Sequence, residues 1–387
     1  MGKIKNVISF VDSLLGTLRK LFVNTLTVLF LMLITFGFLF SLGESLFESD
    51  KVETEDQILY LEPKGVIVDK AILTNDPFEE FEIFESSINQ IELESFLKII
   101  KNAGTDDDLK AIYLDVDGLS AYYTSALKIA DALYEARENG KEIIAFTSGL
   151  GTTGYLMASQ ATEIILEKDT YEPVLPFGFS RVRLYQKDFF ENIKVNMNVY
   201  AAGDFKSGPE GYTRNDMSET DRFAWLEFIT PIWEKYKSKM EIGRGFESGR
   251  IQYIGDNYPL LVSENNGDNN ETSLTTGLVD KLMSEQETRN YLIEKYGSEE
   301  EYERPEGISG REYLSTLKDE DISYRQKRVQ EKNKIAIIHV EGAIVAGDIG
   351  FNTAGSGGIV KKINKARDDE NVKGIVLRVN SPGGDVY

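Results

Sequence analysis

Cysteine is absent from the 387 residues, so the chain can form neither a disulfide nor a thiolate metal site. Histidine occurs once, at His339, inside the apolar run 335–340 where a strand position is expected, which leaves a Ser-His-Asp triad without a suitable base. Positive charge is scarce: 43 Lys and Arg against 64 Asp and Glu give a formal charge of −21, which disfavours nucleic acid because phosphate contacts need concentrated basic surface. HExxH helices, P-loops and paired Cys motifs are missing as well. No metal and no cofactor is expected. Acid–base chemistry is left to lysine, tyrosine and the carboxylates.

One long apolar run is present. Leu21 to Gly43 are 23 residues without a charge, roughly 34 Å as a helix, enough to cross a bilayer. Ser41-Leu42-Gly43 is a small-x-small triplet of the kind that a signal peptidase cleaves, yet the run is longer than a signal core of about 7–15 residues. Lys3, Lys5, Arg19 and Lys20 precede the run, and Glu44, Glu48, Asp50, Glu53, Glu55 and Asp56 follow it. The positive-inside rule therefore predicts a cytoplasmic tail (1–20), a single transmembrane helix (21–43) and an acidic juxtamembrane linker (44–57), with everything beyond facing outward, the periplasm in a bacterium with two membranes.

Beyond the linker the pattern alternates between strand and helix, as a parallel α/β sheet requires. Residues 58–61, 65–69, 111–116 and 142–146 read as strands; 92–102 and 125–139 read as helices stopped by Gly104 and Gly140. An internal repeat is superimposed on this order. Residues 63–68 resemble 340–345, and 108–116 resemble 371–379, with Gly65 and Gly342 separated by 277 residues and Lys110 and Lys373 by 263. Thr74 to Ser87 supply the 14-residue difference as an acidic, Phe-rich loop. The repeat predicts a first domain over 58–330 and the start of a second over 331–387, cut off after two strands and one helix, as in a truncated gene product or fragment; a short β-α-β module appended to the first domain's sheet is the alternative.

Two segments could carry chemistry. Gly203-Asp204-Phe205-Lys206-Ser207-Gly208-Pro209 follows an expected strand at 196–200, which would put Lys206 at a strand's carboxyl end, where open α/β sheets place their sites. A neutral lysine can deprotonate a serine when desolvation lowers its pKa, though most lysines in such loops are simply solvated. Asn380-Ser381-Pro382-Gly383-Gly384-Asp385 follows an expected strand at 374–379, and consecutive glycine amides can hold an oxyanion; a plain Pro-Gly turn is the competing reading, with Ser381 as a turn former. Gly357-Gly358, before a helical stretch at 359–368, reads as a flexible loop.

Gly203-Asp204-Phe205-Lys206-Ser207 with Arg214-Asn215-Asp216-Met217-Ser218 resembles the lysine segment of the long, two-domain form of the signal peptide peptidase A (protease IV) family, S49. Leu377-Arg378-Val379-Asn380-Ser381-Pro382-Gly383-Gly384 resembles the start of its second domain. Phe146-Thr147-Ser148-Gly149, Tyr155-Leu156-Met157-Ala158-Ser159 and Gly277-Leu278-Val279-Asp280 fit the family's first domain. The resemblance implies a tandem ClpP/crotonase-like α/β fold, its second copy truncated here, preceded by one transmembrane helix.

It also implies a membrane-anchored serine endopeptidase acting through a Ser-Lys dyad on signal peptides or unfolded segments, assembled as a homo-oligomer. Lys206 matches the general base, and Gly383 and Gly384 match the oxyanion-hole glycines. The family's nucleophilic serine lies beyond the SPGG motif, in a segment that residues 1–387 do not reach, and Ser148 and Ser159 are at best degenerate counterparts. A catalytically silent membrane-tethered scaffold is the alternative. A crotonase-type acyl-CoA enzyme is disfavoured by the outward orientation, since acyl-CoA is cytoplasmic.

Overall fold

The computed structural model describes residues 19, 24, 25, 30, 32, 57–70, 89–200, 202–297, 304–317, 333–350 and 352–385. Of the predicted span 21–43 only Asn24, Thr25, Phe30 and Met32 are among them, and the insertion at 74–87 lies outside. No described helix is long and apolar enough to cross a membrane. The chain divides into two units, residues 1–53 and 54–387, and the strands with their covering helices belong to the second.

In chain order the first part of that unit comprises β1 (Gln57–Leu61), β2 (Gly65–Val68), β3 (Gln90–Glu92), α1 (Leu93–Ala103), β4 (Leu109–Asp115), β5 (Leu119–Ser120), α2 (Tyr123–Glu138), β6 (Glu142–Thr147), α3 (Thr152–Ala158) and β7 (Glu163–Glu167). Next come α4 (Lys187–Asn192), α5 (Glu210–Thr213), α6 (Glu219–Arg244), α7 (Arg250–Glu264), α8 (Asn269–Thr275), β8 (Lys281–Met283), α9 (Glu285–Tyr296), β9 (Gly307–Ser309) and α10 (Gly310–Thr316). The last part holds β10 (Lys334–Glu341), β11 (Ala343–Val345), β12 (Thr353–Gly355), α11 (Ser356–Asp368) and β13 (Val372–Asn380).

Six strands form one sheet in the order β8-β7-β6-β4-β1-β9, every pair parallel. Its central strands are apolar on both faces, as a doubly covered parallel sheet demands: in β4, Leu109, Ala111, Ile112 and Leu114 are all buried. One face meets α1 through Phe96, Ile99 and Ile100 and α2 through Ala126, Ile129, Ala130 and Leu133. In α1 these residues recur at helical spacing, which is why the predicted amphipathic helix forms there. The other face carries a smaller cluster of Ile144, Ile165 and Leu292, flanked by Tyr113, Phe146 and Tyr291.

The second set of strands copies the pairing of the first. In β1 and β4, Gln57 faces Leu109 and Ile58 faces Ala111, a bulge of one residue; in β10 and β13, Lys334 faces Val372 and Ile335 faces Gly374. Every partner in the first pair has its counterpart 277 or 263 residues later, bulge included. The same offsets carry Val66 facing Gln90 in β2 and β3 onto Ala343 facing Thr353 in β11 and β12. A helix comes next in both copies. Residues 333–385 thus hold four strands and a helix, two strands more than the sequence pattern indicates, because β11 and β12 are only three residues each. Ile335, Ile337, Val376, Leu377 and Val379 on the β10/β13 pair are exposed.

Two expectations fail. Residues 195–200 form no strand; Val195, Met197 and Val199 alternate as strand residues do, but they are solvent-exposed and lack the neighbouring ladder that turns alternation into a strand. Gly357 and Gly358 are not a flexible loop but the first turn of α11, both donating N–H to the Gly347 carbonyl, at 2.8 and 3.2 Å. A side chain at Gly358 would press on Ile349, so glycine is needed there for close approach rather than for mobility.

Asp115, at the end of β4, titrates high. Burial pushes its carboxyl up to about 6, with the nearby carboxylates of Asp117 and Glu62 adding to the rise and the Asp117 amide opposing it. A folded-state pKa above the unfolded value of about 3.9 means that Asp115 favours the fold fully below about pH 4, and that this contribution is lost as pH rises through 6. Asp115→Asn keeps an acceptor for the Asp117 N–H, 2.8 Å away, and carries no charge to bury. We expect the variant to gain about 1–2 kcal/mol at pH 7.5, a value discounted for the partly exposed side chain, and nothing at pH 4. Thermal unfolding at the two pH values checks this; equal midpoints for variant and parent at pH 7.5 would contradict it.

Candidate active site

Lys206 lies in a turn between the extended segment 195–200 and α5. Gly203, at φ +94°, starts this turn, in which the Lys206 amide donates to the Gly203 carbonyl at 3.3 Å and the Ser207 amide to Phe205 at 3.0 Å. Lys206 does not emerge from a strand end, as expected, and its side chain is exposed. The turn is held from outside. Arg183 donates through Nη2 to the Ser207 carbonyl at 2.6 Å and also to the Gly208 carbonyl. Arg183 is itself paired with Asp221, Nη1 to Oδ2 at 3.5 Å, and Arg181 donates to Asp221 Oδ1 at 3.0 Å.

Asp221 sits in the first turn of α6, 4% exposed. Burial opposes its charge, but the Ser207 hydroxyl and the two guanidinium groups outweigh burial and hold its carboxyl below the usual carboxylate range. Its Oδ2 accepts no hydrogen bond and has the Arg183 guanidinium as its ion-pair partner 3.5 Å away. Ser218 caps α6 by accepting the Asp221 amide and donates to Glu210 of α5. The sequence did contain a signal for this arrangement: Ser218-x-x-Asp221 has the spacing of a capping box.

Gly383 and Gly384 lie just past β13. The Ile344 amide donates to the Gly383 carbonyl at 2.9 Å and the Asp385 amide to the Ile344 carbonyl at 2.8 Å, a parallel bridge centred on Gly384. Gly384 has φ +156°, and a side chain there would lie 2.1 Å from the Ile344 carbonyl oxygen, so no other residue fits. The Gly383 amide donates to Ser381 Oγ at 3.2 Å, which gives Ser381 the turn-forming part. The bridge uses the carbonyl before Gly384 and the amide after it, so Gly384's own N–H faces away from Ile344.

Among the described residues no hydrogen bond joins Lys206 to the glycine pair. The structure ties the two sheets together elsewhere: Arg378 of β13 donates to Asp69 Oδ1 at 2.5 Å, and the Asp69 amide to Glu341 Oε1 at 3.4 Å. His339 lies within β10, as expected of a strand residue. Ser148 and Ser159 are both committed. Ser148 donates its hydroxyl to Asp117 Oδ2 at 2.7 Å and its amide to the same oxygen at 2.6 Å, while Thr147 Oγ1 bonds Asp117 Oδ1 at 2.6 Å. Ser159 is fully buried, donates to the Leu156 carbonyl and accepts from Gln160. Asp117 was not foreseen, since nothing in an Asp-Gly turn marks it as the acceptor for three donors.

An exposed lysine in a clamped glycine-flanked turn and a glycine bridge past a second parallel strand pair are set on an α/β protein whose named sheets are all parallel. The profile of peptidase family S49 matches residues 135–297, which run from the end of α2 past α9 and include Lys206. The chain is 26% identical over 385 residues to Protease 4 of Haemophilus influenzae, covering 98% of this chain and 61% of that protein. It is 29% identical over 383 residues to Protease 4 of Salmonella typhi, covering 96% and 58%. With the chloroplastic serine protease SPPA of Arabidopsis thaliana it shares 23% over 308 residues, 78% of this chain and 42% of that one. The match to peptidase family S49 covers residues 135–297, and the chain spans about three-fifths of the length of these two bacterial proteins.

Proposed function

We propose that the chain is the amino-terminal part of a serine endopeptidase in which Lys206 is the general base and the Gly383-Gly384 turn forms the oxyanion hole. The observation that carries this reading is the doubling of strand register between β1–β4 and β10–β13, which supports two ClpP/crotonase-like copies: the first holds the lysine and the second opens with the glycine turn. The exposed apolar residues of β10 and β13 are what the remainder of a second domain would cover.

In the reaction, neutral Lys206 takes the proton from a serine hydroxyl as the serine oxygen attacks the peptide carbonyl. The carbonyl electron pair moves to oxygen, held by backbone N–H; Gly384 is the better donor because the Gly383 amide is engaged by Ser381. The lysine ammonium then returns the proton to the leaving amine, and water repeats the sequence on the acyl-enzyme. The serine belongs to the rest of the second domain, since Ser148 and Ser159 are bonded elsewhere. Because Lys206 is exposed, its desolvation falls to that same domain or to a neighbouring copy in a homo-oligomer. Peptide substrates, signal peptides among them, and an anchor at 21–43 with a cytoplasmic amino terminus complete the reading.

Fluorophosphonate labelling tests it. The 387-residue chain is expected to take up no label, and the full-length protein, this chain continued through the second domain, to be labelled on one serine beyond residue 387. A labelled serine within residues 1–387 would refute the assignment.

A further inference from the structure

The turn that carries Lys206 makes few bonds of its own. Residues 202–206 are all exposed, no side chain packs over Gly203 or Gly208, and the internal bonds are single-turn contacts at 3.0–3.3 Å. Exposed glycine-flanked turns of this kind sample many conformations, at an entropic cost of about 1–2 kcal/mol for each residue that must be fixed. A base, however, must stand within about 3 Å of the proton it takes.

What constrains the turn is a group of side chains from outside it. Arg183, in the segment before α4, reaches across to the carbonyls of Ser207 and Gly208, the two residues after Lys206. Both bonds come from Nη2, so the guanidinium still has Nη1 to set 3.5 Å from the Asp221 carboxylate, which a single ammonium nitrogen could not do as well. Arg183 is in turn fixed by Asp221, which also holds Arg181, and the Ser207 hydroxyl helps to favour the Asp221 carboxylate's charged form. Ser207 is therefore gripped at its carbonyl, one residue from the lysine. Asp221 is rigid, being buried in the first turn of a 26-residue helix whose amino end is capped by Ser218. The Arg181 guanidinium lies 5.5 Å from the Trp225 ring on the next turn of that helix.

We infer that Arg183 and Asp221 are positioning residues for Lys206, transmitting the rigidity of α6 to the turn and setting where the lysine amine stands. This rests on the reading of Lys206 as the base. Neither residue touches the reacting atoms. Their loss displaces the lysine rather than removing it, and a displacement of the order of 1 Å costs about 10²-fold in rate.

The test uses Arg183→Met, Arg183→Lys and, as a variant that leaves the buried carboxylate in place, Ser207→Ala. Hydrogen exchange of the 387-residue chain, read by mass spectrometry over 202–209, is expected to speed up at least about 10-fold in Arg183→Met and less in Ser207→Ala, with exchange in β4 and β6 unchanged. In the full-length protein kcat is expected to fall about 10- to 100-fold with KM within about twofold, and Arg183→Lys to recover only part of it. Unchanged exchange over 202–209 overturns the clamp. Faster exchange with kcat unaltered, in a protein that Lys206→Met inactivates, overturns the positioning role. Faster exchange in a protein that Lys206→Met leaves active shows instead that the clamp stands and the assignment of Lys206 has failed.

Discussion

Lys206→Met in the full-length protein is expected to lower kcat/KM at least about 10³-fold, which corresponds to about 4 kcal/mol of transition-state stabilisation at about 1.36 kcal/mol per decade. The substitution should leave the unfolding midpoint within about 1 °C. The two halves of that expectation come from different facts. The large kinetic effect follows from the proposed role of Lys206 and from the other bases in view: His339 lies in a strand, and the Asp117 carboxylate already accepts three bonds. The small stability effect follows from exposure, since Lys206 is open to solvent and the turn is fastened through Ser207 and Gly208 rather than through the lysine. Lys206→Arg should fail to rescue, because a guanidinium stays protonated in proteins and cannot accept the serine proton. Turnover of a peptide ester and thermal unfolding on the same preparations decide the matter; activity retained within tenfold in Lys206→Met would remove the base from this site.

The strands and helices of the main sheet were legible because their burial is two-sided and their periods are clean. Residues 92–102 and 125–139 differ from α1 and α2 by one or two positions, and the strand at 111–116 by about two. Local chemistry sets those boundaries. The lysine turn was legible only as a motif. Its setting was misread, because Val195, Met197 and Val199 have strand spacing while a strand also needs a partner ladder, and pairing is a property of distant residues. Arg183 and Asp221 were invisible for a related reason: they lie 38 residues apart along the chain and meet only through the fold. Gly383 and Gly384 were easier. Consecutive glycines after an apolar strand announce a backbone with no room for side chains, and at Gly384 the Ile344 carbonyl supplies the obstacle.

Gly277-Leu278-Val279-Asp280 illustrates a motif whose physical work emerges only in three dimensions, and it gives the largest expected loss of stability. Arg244, the last residue of α6, is 8% exposed at its side chain and donates to both oxygens of Asp280, at 2.6 and 2.8 Å. It also donates to the Gly277 carbonyl through Nε at 3.2 Å and Nη2 at 2.9 Å. Asp280 accepts the Ile164 amide of β7 at 2.8 Å and returns its own amide to the Ile164 carbonyl at 2.9 Å, while the buried Tyr155 hydroxyl donates to the Leu278 carbonyl at 3.0 Å. One turn thereby joins the end of α6, α3 and the β7 edge at the point where β8 enters the sheet. Arg244→Met fills much of the same volume but strips the Gly277 carbonyl of two donors and leaves the Asp280 carboxylate without its cation. We expect a loss of about 2–4 kcal/mol, less than the roughly 3–5 kcal/mol of a fully buried pair because the Asp280 side chain is 35% exposed, and a fall of about 5–10 °C in the unfolding midpoint. Asp280→Asn, which keeps an acceptor for Ile164 and for one guanidinium N–H, should cost about 1 kcal/mol. Hydrogen exchange should rise first at Ile164 and over 277–283, since these amides depend on the latch, and the β1–β4 ladder should remain protected until global unfolding. Equal stabilities for the two variants would mean that charge on Asp280, rather than the fourfold grip of Arg244, holds the turn.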